Sequence, residues 1–230
     1  MDLPKVLLRE KMMEFLEEDA GMGDITTEAV IPRGLKVKAQ VIAKEPFVVA
    51  GLAEVKSLFE MLGIETPKSA DDGEEVGSGT VVAEVTGEGR SILIAERTAL
   101  NLLSRMSGIA TATRKLVKKI DRMGGGIRIA GTRKTVPGLR YFDKRAVEIG
   151  GGDTHRFRLD DALLIKDNHI AIAGGIAEAI KRARSVASFA KKIEVEVEKL
   201  EEALEAAKLG VDIVMLDNMP TEKIKKVIRW

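Results

Sequence analysis

Residues 193–198, Ile193-Glu194-Val195-Glu196-Val197-Glu198, alternate strictly between β-branched and acidic side chains. Successive side chains of an extended strand point to opposite faces, so the three glutamates share one face and the β-branched residues the other. Working outward, three more short apolar runs occupy the same half of the chain: Ile127 to Ala130, Ala162 to Ile165 and Ile213 to Leu216. Helical patterns around Val147, at Ile176 to Ala187, at Leu200 to Leu209 and at Glu222 to Ile228 fall between or after them. Strands alternating with helices at this spacing predict parallel pairing, in a barrel or a doubly wound sheet. In a barrel the helix-covered outside must be apolar, which turns the glutamates inward. Three buried carboxylates are costly unless cations meet them. The competing reading is a solvated edge strand with its glutamates in water, and the helices expected on either side of it weigh against that.

Cations recur where such strands would end. Ile127-Arg128-Ile129-Ala130 leads to Thr132-Arg133-Lys134, and Ala162-Leu163-Leu164-Ile165 leads to Lys166-Asp167-Asn168-His169. Between them lies Gly150-Gly151-Gly152-Asp153-Thr154-His155-Arg156. In parallel α/β architectures this rim carries the chemistry, so the cluster predicts a polyanionic ligand. Glycines 150–152 either let backbone approach that ligand or simply form a turn, and Gly124 to Gly126 reads as a connection.

The selectivity for an anion must be local. Lys and Arg total 37 against 36 Asp and Glu, a net charge of +1 that provides no general field for nucleic acid or an anionic membrane. At 230 residues with 45% apolar side chains the chain buries a substantial core and reads as a soluble globular protein of two domains or one with an annex. It has no cysteine, which excludes disulfides, thiolate metal sites and a cysteine nucleophile and fits a reducing cytoplasm. No apolar stretch reaches the roughly 20 residues of a membrane span, and Met1-Asp2-Leu3-Pro4-Lys5 lacks a signal-peptide core. The expected location is the cytoplasm. Only His155 and His169 are present, so a histidine-built metal site is not expected.

The first half reads differently. Leu3 to Glu17 has helical apolar spacing, broken by Gly21-Met22-Gly23-Asp24. Val37, Ala39, Val41 and Ala43 alternate with polar residues, Val81 to Val85 is β-branched between glycines, and a helix is expected near Leu52 to Leu62. Ile94 to about Ile120 reads as one long helix or two short ones. The predicted fold is therefore α/β: an N-terminal α+β domain, residues 1–105, and a C-terminal domain of alternating strands and helices, residues 106–230, closed as a barrel or open as a doubly wound sheet.

At these residues the chain resembles the quinolinate phosphoribosyltransferases, also called nicotinate-nucleotide pyrophosphorylases. The resemblance runs in order through Gly23 to Thr27, Ala95 to Asn101, Ser107 to Thr111, Thr132 to Leu139, Gly150 to Arg156, Leu164 to His169, Glu194 to Glu198 and Met215 to Asn218. It spans nearly the whole chain, which makes chance similarity of the short motifs improbable. It is looser at Thr154 and over Tyr141 to Arg145. The resemblance implies a sandwich-like N-terminal domain and a barrel with fewer strands than the usual eight. It implies a homodimer, or a higher assembly, whose active sites are completed across the interface. The implied reaction joins quinolinate to 5-phosphoribosyl 1-pyrophosphate with magnesium, giving nicotinate mononucleotide, pyrophosphate and carbon dioxide.

Residue roles follow from that resemblance and from side-chain chemistry. Quinolinate carries two adjacent carboxylates, which guanidinium forks bind through paired charge-assisted hydrogen bonds. Arg133 and Arg156 are the expected forks, Arg97 the arginine lent by the neighbouring subunit, and His155 a further hydrogen-bonding partner. Taken outside the motif, Arg97 reads as a surface helix arginine. Lys134 and Lys166 suit the donor's phosphates, where a point charge is sufficient, and Thr132 adds a hydroxyl or backbone contact. Displacement at the anomeric carbon develops positive charge, so Glu196 and Asp217 are expected to stabilise it, directly or through magnesium that arrives with the pyrophosphate mostly water-coordinated. Decarboxylation then needs no general base, because the cationic ribosylated ring nitrogen stabilises the carbanion left at the adjacent carbon. His169 reads equally as structural or catalytic.

Four parallel strands cannot close a barrel of ordinary tilt and shear. The resemblance implies that further strands follow, so about 50 more residues are expected beyond Trp230 unless a partner segment completes the sheet; either way an apolar edge is left after Ile213 to Leu216. Alternatives keep the fold and change the chemistry: a related enzyme acting on nicotinate or another ring acid, a ligand-binding scaffold without turnover, or an aldolase-type use of Lys166 as a Schiff-base amine. The last leaves Arg133, Arg156 and Arg97 unexplained.

Overall fold

The structure, a computed structural model, describes residues 2–124 and 126–229. Met1, Gly125 in the middle of the expected glycine connection, and Trp230 lie outside the described residues. The chain forms two compact units, Met1–His155 and Arg156–Trp230.

In the first unit, α1 (Lys5–Ala20) and α2 (Ile25–Val30) precede β1 (Lys36–Ile42), β2 (Phe47–Val48), α3 (Leu52–Met61), β3 (Glu65–Ser69), β4 (Glu75–Val76) and β5 (Val81–Glu88). α4 (Gly89–Asp121) and α5 (Arg140–Ile149) follow. β5 is the middle strand of an antiparallel sheet ordered β1-β5-β3, and β2 pairs with β4. The stretch expected as one or two helices is a single helix of 33 residues, and residues 105 and 106 lie inside it. Its buried positions Ile92, Ala95, Ala99, Leu102, Leu103, Met106 and Ala110 recur at three and four, one stripe of a 3.6-residue repeat. The stripe packs into a core with Met12, Leu58, Val82 and Phe142. Hydroxyls on the same helix satisfy passing backbone: Thr111 accepts from the Val48 N–H at 2.8 Å and Ser107 from the Ala50 N–H at 3.1 Å.

In the second unit, β6 (Leu163–Ile165), α6 (Asp167–Ala173), α7 (Ile176–Val186), β7 (Ile193–Val197), α8 (Leu200–Lys208), β8 (Ile213–Leu216) and α9 (Thr221–Ile228) alternate as expected. The strands are parallel and ordered β6-β7-β8. Because β7 is central, the edge-strand reading of residues 193–198 is overturned. Ile193, Val195 and Val197 are buried against Ile180 of α7 and Ala203 and Ala206 of α8, which leaves the glutamates on the opposite face. Only Glu194 is fully buried there. Glu196 is half-buried and Glu198, past the strand end, is exposed. The expected triple burial is thus reduced to one and a half carboxylates.

The fourth expected strand does not form. Ala130 makes one isolated parallel bridge with Asp153, held by Asp153 N–H to Ile129 O at 2.7 Å and Gly131 N–H to Asp153 O at 2.8 Å. Two hydrogen bonds do not make a ladder, and Ile127 at the start of the run is 59% exposed. The apolar run Ile127 to Ala130 therefore reads as a strand in sequence and is a tethered loop in the fold.

One buried acid stands apart from the rim. Glu54, in the first turn of α3, is 2% exposed; Tyr141 donates to its Oε1 at 3.1 Å while Oε2 is buried without a hydrogen-bond partner among the described residues. Burial, with Asp72 adding to it, pushes the Glu54 carboxyl above its ordinary value, and burial together with Glu54 pushes the Tyr141 phenol up to about 12. A carboxyl whose folded-state pKa is raised contributes stability below the unfolded value and loses it as pH rises through the folded one. Glu54→Gln should therefore flatten the decline in melting temperature that the parent shows as pH rises from about 4.5 toward neutrality. Parallel curves for variant and parent would contradict this assignment.

Candidate functional site

Each unit carries part of the expected constellation. In the second, strand register sets the geometry. Leu164 pairs with Glu194, and Glu196 pairs with Met215, so Lys166 and Asp217, one residue past β6 and β8, continue the row that bears the glutamates. Lys166 keeps an extended backbone and the Asp217 N–H donates to Val197 O at 2.9 Å, so both remain in strand-like geometry. Lys166 Nζ lies 2.8 Å from Glu196 Oε2. Side-chain exposures of 40% and 20% leave this pair accessible from one side. Asp217 is half-buried, and Asn218, with φ 49°, turns its amide back to the Asp217 carboxylate at 3.1 Å. The face opposite the helices thus presents one cation and two carboxylates at the carboxyl ends of parallel strands.

Arg156 lies at the β6 edge, where Nη1 donates to Ala162 O at 3.1 Å. With Leu163, Ile165 and His169 it lines an open cavity of about 360 Å³. His169 resolves toward structure: its Nδ1 accepts the Lys166 backbone N–H at 3.0 Å, capping the start of α6 and assigning the remaining ring proton to Nε2.

In the first unit, Thr132, Arg133 and Lys134 form a loop tightened by the Lys134 N–H donating to Thr132 Oγ1 at 3.1 Å. Arg133 Nε is buried with no hydrogen-bond partner among the described residues. An unpaired buried donor costs about 1–3 kcal/mol, which a ligand acceptor would recover. His155 adopts the left-handed conformation, φ 52°. The Asp153 carboxylate accepts its N–H at 2.7 Å, and this bond, with Arg128 adding to it, holds the Asp153 carboxyl below the usual range. Asp153 was not singled out from the sequence, although an Asp two residues before a turn residue is the pattern of a side-chain-capped turn. Arg97 is exposed on α4 and no carboxylate or carbonyl pairs with it among the described residues.

The glycines have a packing reason that sequence reading did not weigh. A Cβ on Gly150 would lie 2.6 Å from Thr113 Cβ and 2.7 Å from Ala110 O, and one on Gly152 would lie 2.8 Å from Val147 Cγ1. Gly151 has φ 92°, the turn requirement alone. The segment is glycine-rich because it passes against α4 and α5.

Two family models match the chain: the N-terminal domain of quinolinate phosphoribosyl transferase over residues 24–107 and its C-terminal domain over residues 109–230. A Methanocaldococcus jannaschii protein named "Probable nicotinate-nucleotide pyrophosphorylase (carboxylating)" is 51% identical over 93% of this chain and 75% of its own length. The Homo sapiens nicotinate-nucleotide pyrophosphorylase (carboxylating) is 36% identical over 96% of this chain and 74% of its own. The crystal structure of NadC from Streptococcus pyogenes superposes with a TM-score of 0.92 at 42% identity, covering all of this chain and 81% of that one.

His169→Ala should remove only the cap that His169 Nδ1 provides to the Lys166 N–H. Stability should fall by about 0.5–2 kcal/mol in denaturant titration with turnover retained. A loss of turnover beyond about tenfold would return His169 to the chemistry.

Proposed function

The chain belongs to the quinolinate phosphoribosyltransferase family, and from that premise we propose how its residues divide the reaction between them. The enzyme transfers a phosphoribosyl group from 5-phosphoribosyl 1-pyrophosphate to quinolinate and releases carbon dioxide and pyrophosphate, forming nicotinate mononucleotide for NAD biosynthesis. The observation that supports the assignment most directly is the Lys166–Glu196 pair on one face of the sheet with Asp217, at the strand ends.

In this reading Arg133 and Arg156 are the guanidinium forks for quinolinate, and His155 is a further hydrogen-bonding partner. A planar guanidinium meets each carboxylate with two parallel bonds, and the unpaired Arg133 Nε supports a ligand acceptor at that position. Lys134 and Lys166 neutralise donor phosphates, and Thr132 fixes the loop. As the bond from the anomeric carbon to pyrophosphate lengthens, positive charge grows on the ribose; Glu196 and Asp217 are fixed carboxylates that meet it without reorganising. The cationic ribosylated ring nitrogen stabilises the carbanion left on the adjacent ring carbon as carbon dioxide departs, and that carbon then takes a proton from solvent, so no side chain has to remove one.

Magnesium would be carried by the donor's pyrophosphate. All-oxygen carboxylates at an open strand end suit an ion that keeps most of its waters, so Glu196 and Asp217 are the residues that would meet it, and its chemistry is charge neutralisation of the leaving group. No helix is long and apolar enough to cross a membrane among the described residues. A cytoplasmic location is part of this reading, supported by a chain without cysteine.

A homodimer in which Arg97 reaches the neighbouring subunit's quinolinate completes the reading. Its support is an exposed Arg97 on α4, without a partner among the described residues, beside a largely apolar cavity of about 380 Å³ between β1 and α4, where Ile42 is 44% exposed.

Three outcomes test these assignments. Pyrophosphate release should be faster with quinolinate than with nicotinate at equal concentration; preference for the monocarboxylate overturns the three-arginine assignment. Arg133→Lys and Arg156→Lys should each weaken quinolinate binding about a hundredfold, since an ammonium cannot supply the paired bonds. Arg97→Ala and Lys166→Met should each be inactive alone, yet mixing the two should restore about a quarter of parental sites in a randomly exchanging dimer. No recovery on mixing would mean that Arg97 serves its own subunit or none.

A further inference from the structure

Two charged side chains outside the machinery proposed above hold the loops that carry it. Lys144, on the inner side of α5, is 1% exposed, and its Nζ donates to the Thr154 carbonyl. Burying an ammonium is costly unless its donors are used, so a lysine here is not explained by packing: a methionine would fill the same space without that cost. Nor does α5 require it for anchorage. Arg105 of α4 already grips Asp143 with two bonds of 2.7 and 2.8 Å, and Phe142 and Ala146 are buried in the core beside it.

Asp153 stands one residue before the carbonyl that Lys144 holds. Its backbone ties Ile129 and Gly131, the residues that lead into Thr132, and its carboxylate takes the His155 N–H at 2.7 Å. Arg128 joins the same carboxylate at 3.3 Å from a largely exposed position. The product of these contacts is a histidine at φ 52°, a conformation that is strained for a non-glycine residue and is kept only where its surroundings impose it.

We infer that Lys144 and Asp153 are positioning residues for quinolinate recognition. Lys144 fixes the Thr154 carbonyl and Asp153 caps the turn after it, so that His155 is held left-handed while the same aspartate sets the departure of Thr132–Lys134. Neither side chain touches substrate in this arrangement. The inference rests on the reading of Arg133 and His155 as substrate-binding residues.

The test uses the full chain and steady-state pyrophosphate release, with melting temperature measured on every variant. Lys144→Met and Asp153→Ala should each raise the KM for quinolinate about tenfold or more with a smaller change in kcat, as expected when binding groups shift by a fraction of an ångström. Asp153→Asn keeps an acceptor oxygen for the His155 N–H and should stay within about twofold of the parent. A lower melting temperature with unchanged KM in both Lys144→Met and Asp153→Ala overturns the inference and leaves them structural. If Lys144→Met does not fold, Asp153→Ala against Asp153→Asn decides alone, and equal KM values for that pair overturn it. Arg133→Ala and His155→Ala are run beside them: if these leave the quinolinate KM unchanged, the site reading itself has failed, whereas if they raise it and Asp153→Ala does not, only the positioning inference has.

Discussion

A carboxylate on the central strand of a helix-backed sheet persists where a positive charge stands against it, and Glu196 meets that requirement through the Lys166 ammonium at 2.8 Å. The sheet's two faces divide around this fact. One is apolar and locks β6, β7 and β8 to α7 and α8; the other is left for charge, with Lys166, Glu196 and Asp217 in adjacent rows. The pair is partly exposed, so its net contribution to stability is modest. Its larger effect is on chemistry, since two carboxylates and an ammonium held by strand backbone need little rearrangement when an ionic substrate arrives.

The first unit reaches a comparable rigidity by other means. α4 gathers strands, α1, α3 and α5 against one stripe, and the Arg105–Asp143 fork locks α5 to it through an aspartate whose side chain is only 9% exposed. Gly150 and Gly152 lie so close to Thr113 and Val147 that the segment before His155 has almost no freedom to move inward. The loops bearing Arg133 and His155 are thus set by helices behind them rather than by their own sequence.

Legibility in sequence follows the same division. Long periodic helices such as α4, α7 and α8, and the alternating β1 and β7, were readable because burial imposes a repeat on the residues themselves. Short elements were not. α2 is six residues held by Asp24, whose carboxylate takes the N–H groups of Thr26 and Thr27 at 3.0 Å, and the preceding glycines hid it as a plain break. β3 contains Pro67 and mostly exposed polar residues, and exists because β5 offers it a partner. The run Ile127 to Ala130 shows the opposite error, apolar residues that find only one bridging residue. Within the candidate site, the charged residues at strand ends were visible as a pattern. Lys144 and Asp153 were not, because a buried lysine and a turn-capping aspartate announce themselves only through partners far along the chain.

The continuity of α4 also limits how this protein can vary in length. Arg97 and Thr113 sit on one unbroken rod, 16 positions apart, so the span between them is about 24 Å and their relative direction is set by 100° per residue. Inserting or deleting a single residue between them would swing Arg97 to another side of the rod while Thr113 stayed against Gly150. Substitutions along the helix are separable events, but a frame-preserving codon gain or loss there is not, and tolerated changes in length belong to segments such as residues 126–129, where no helix carries the phase onward.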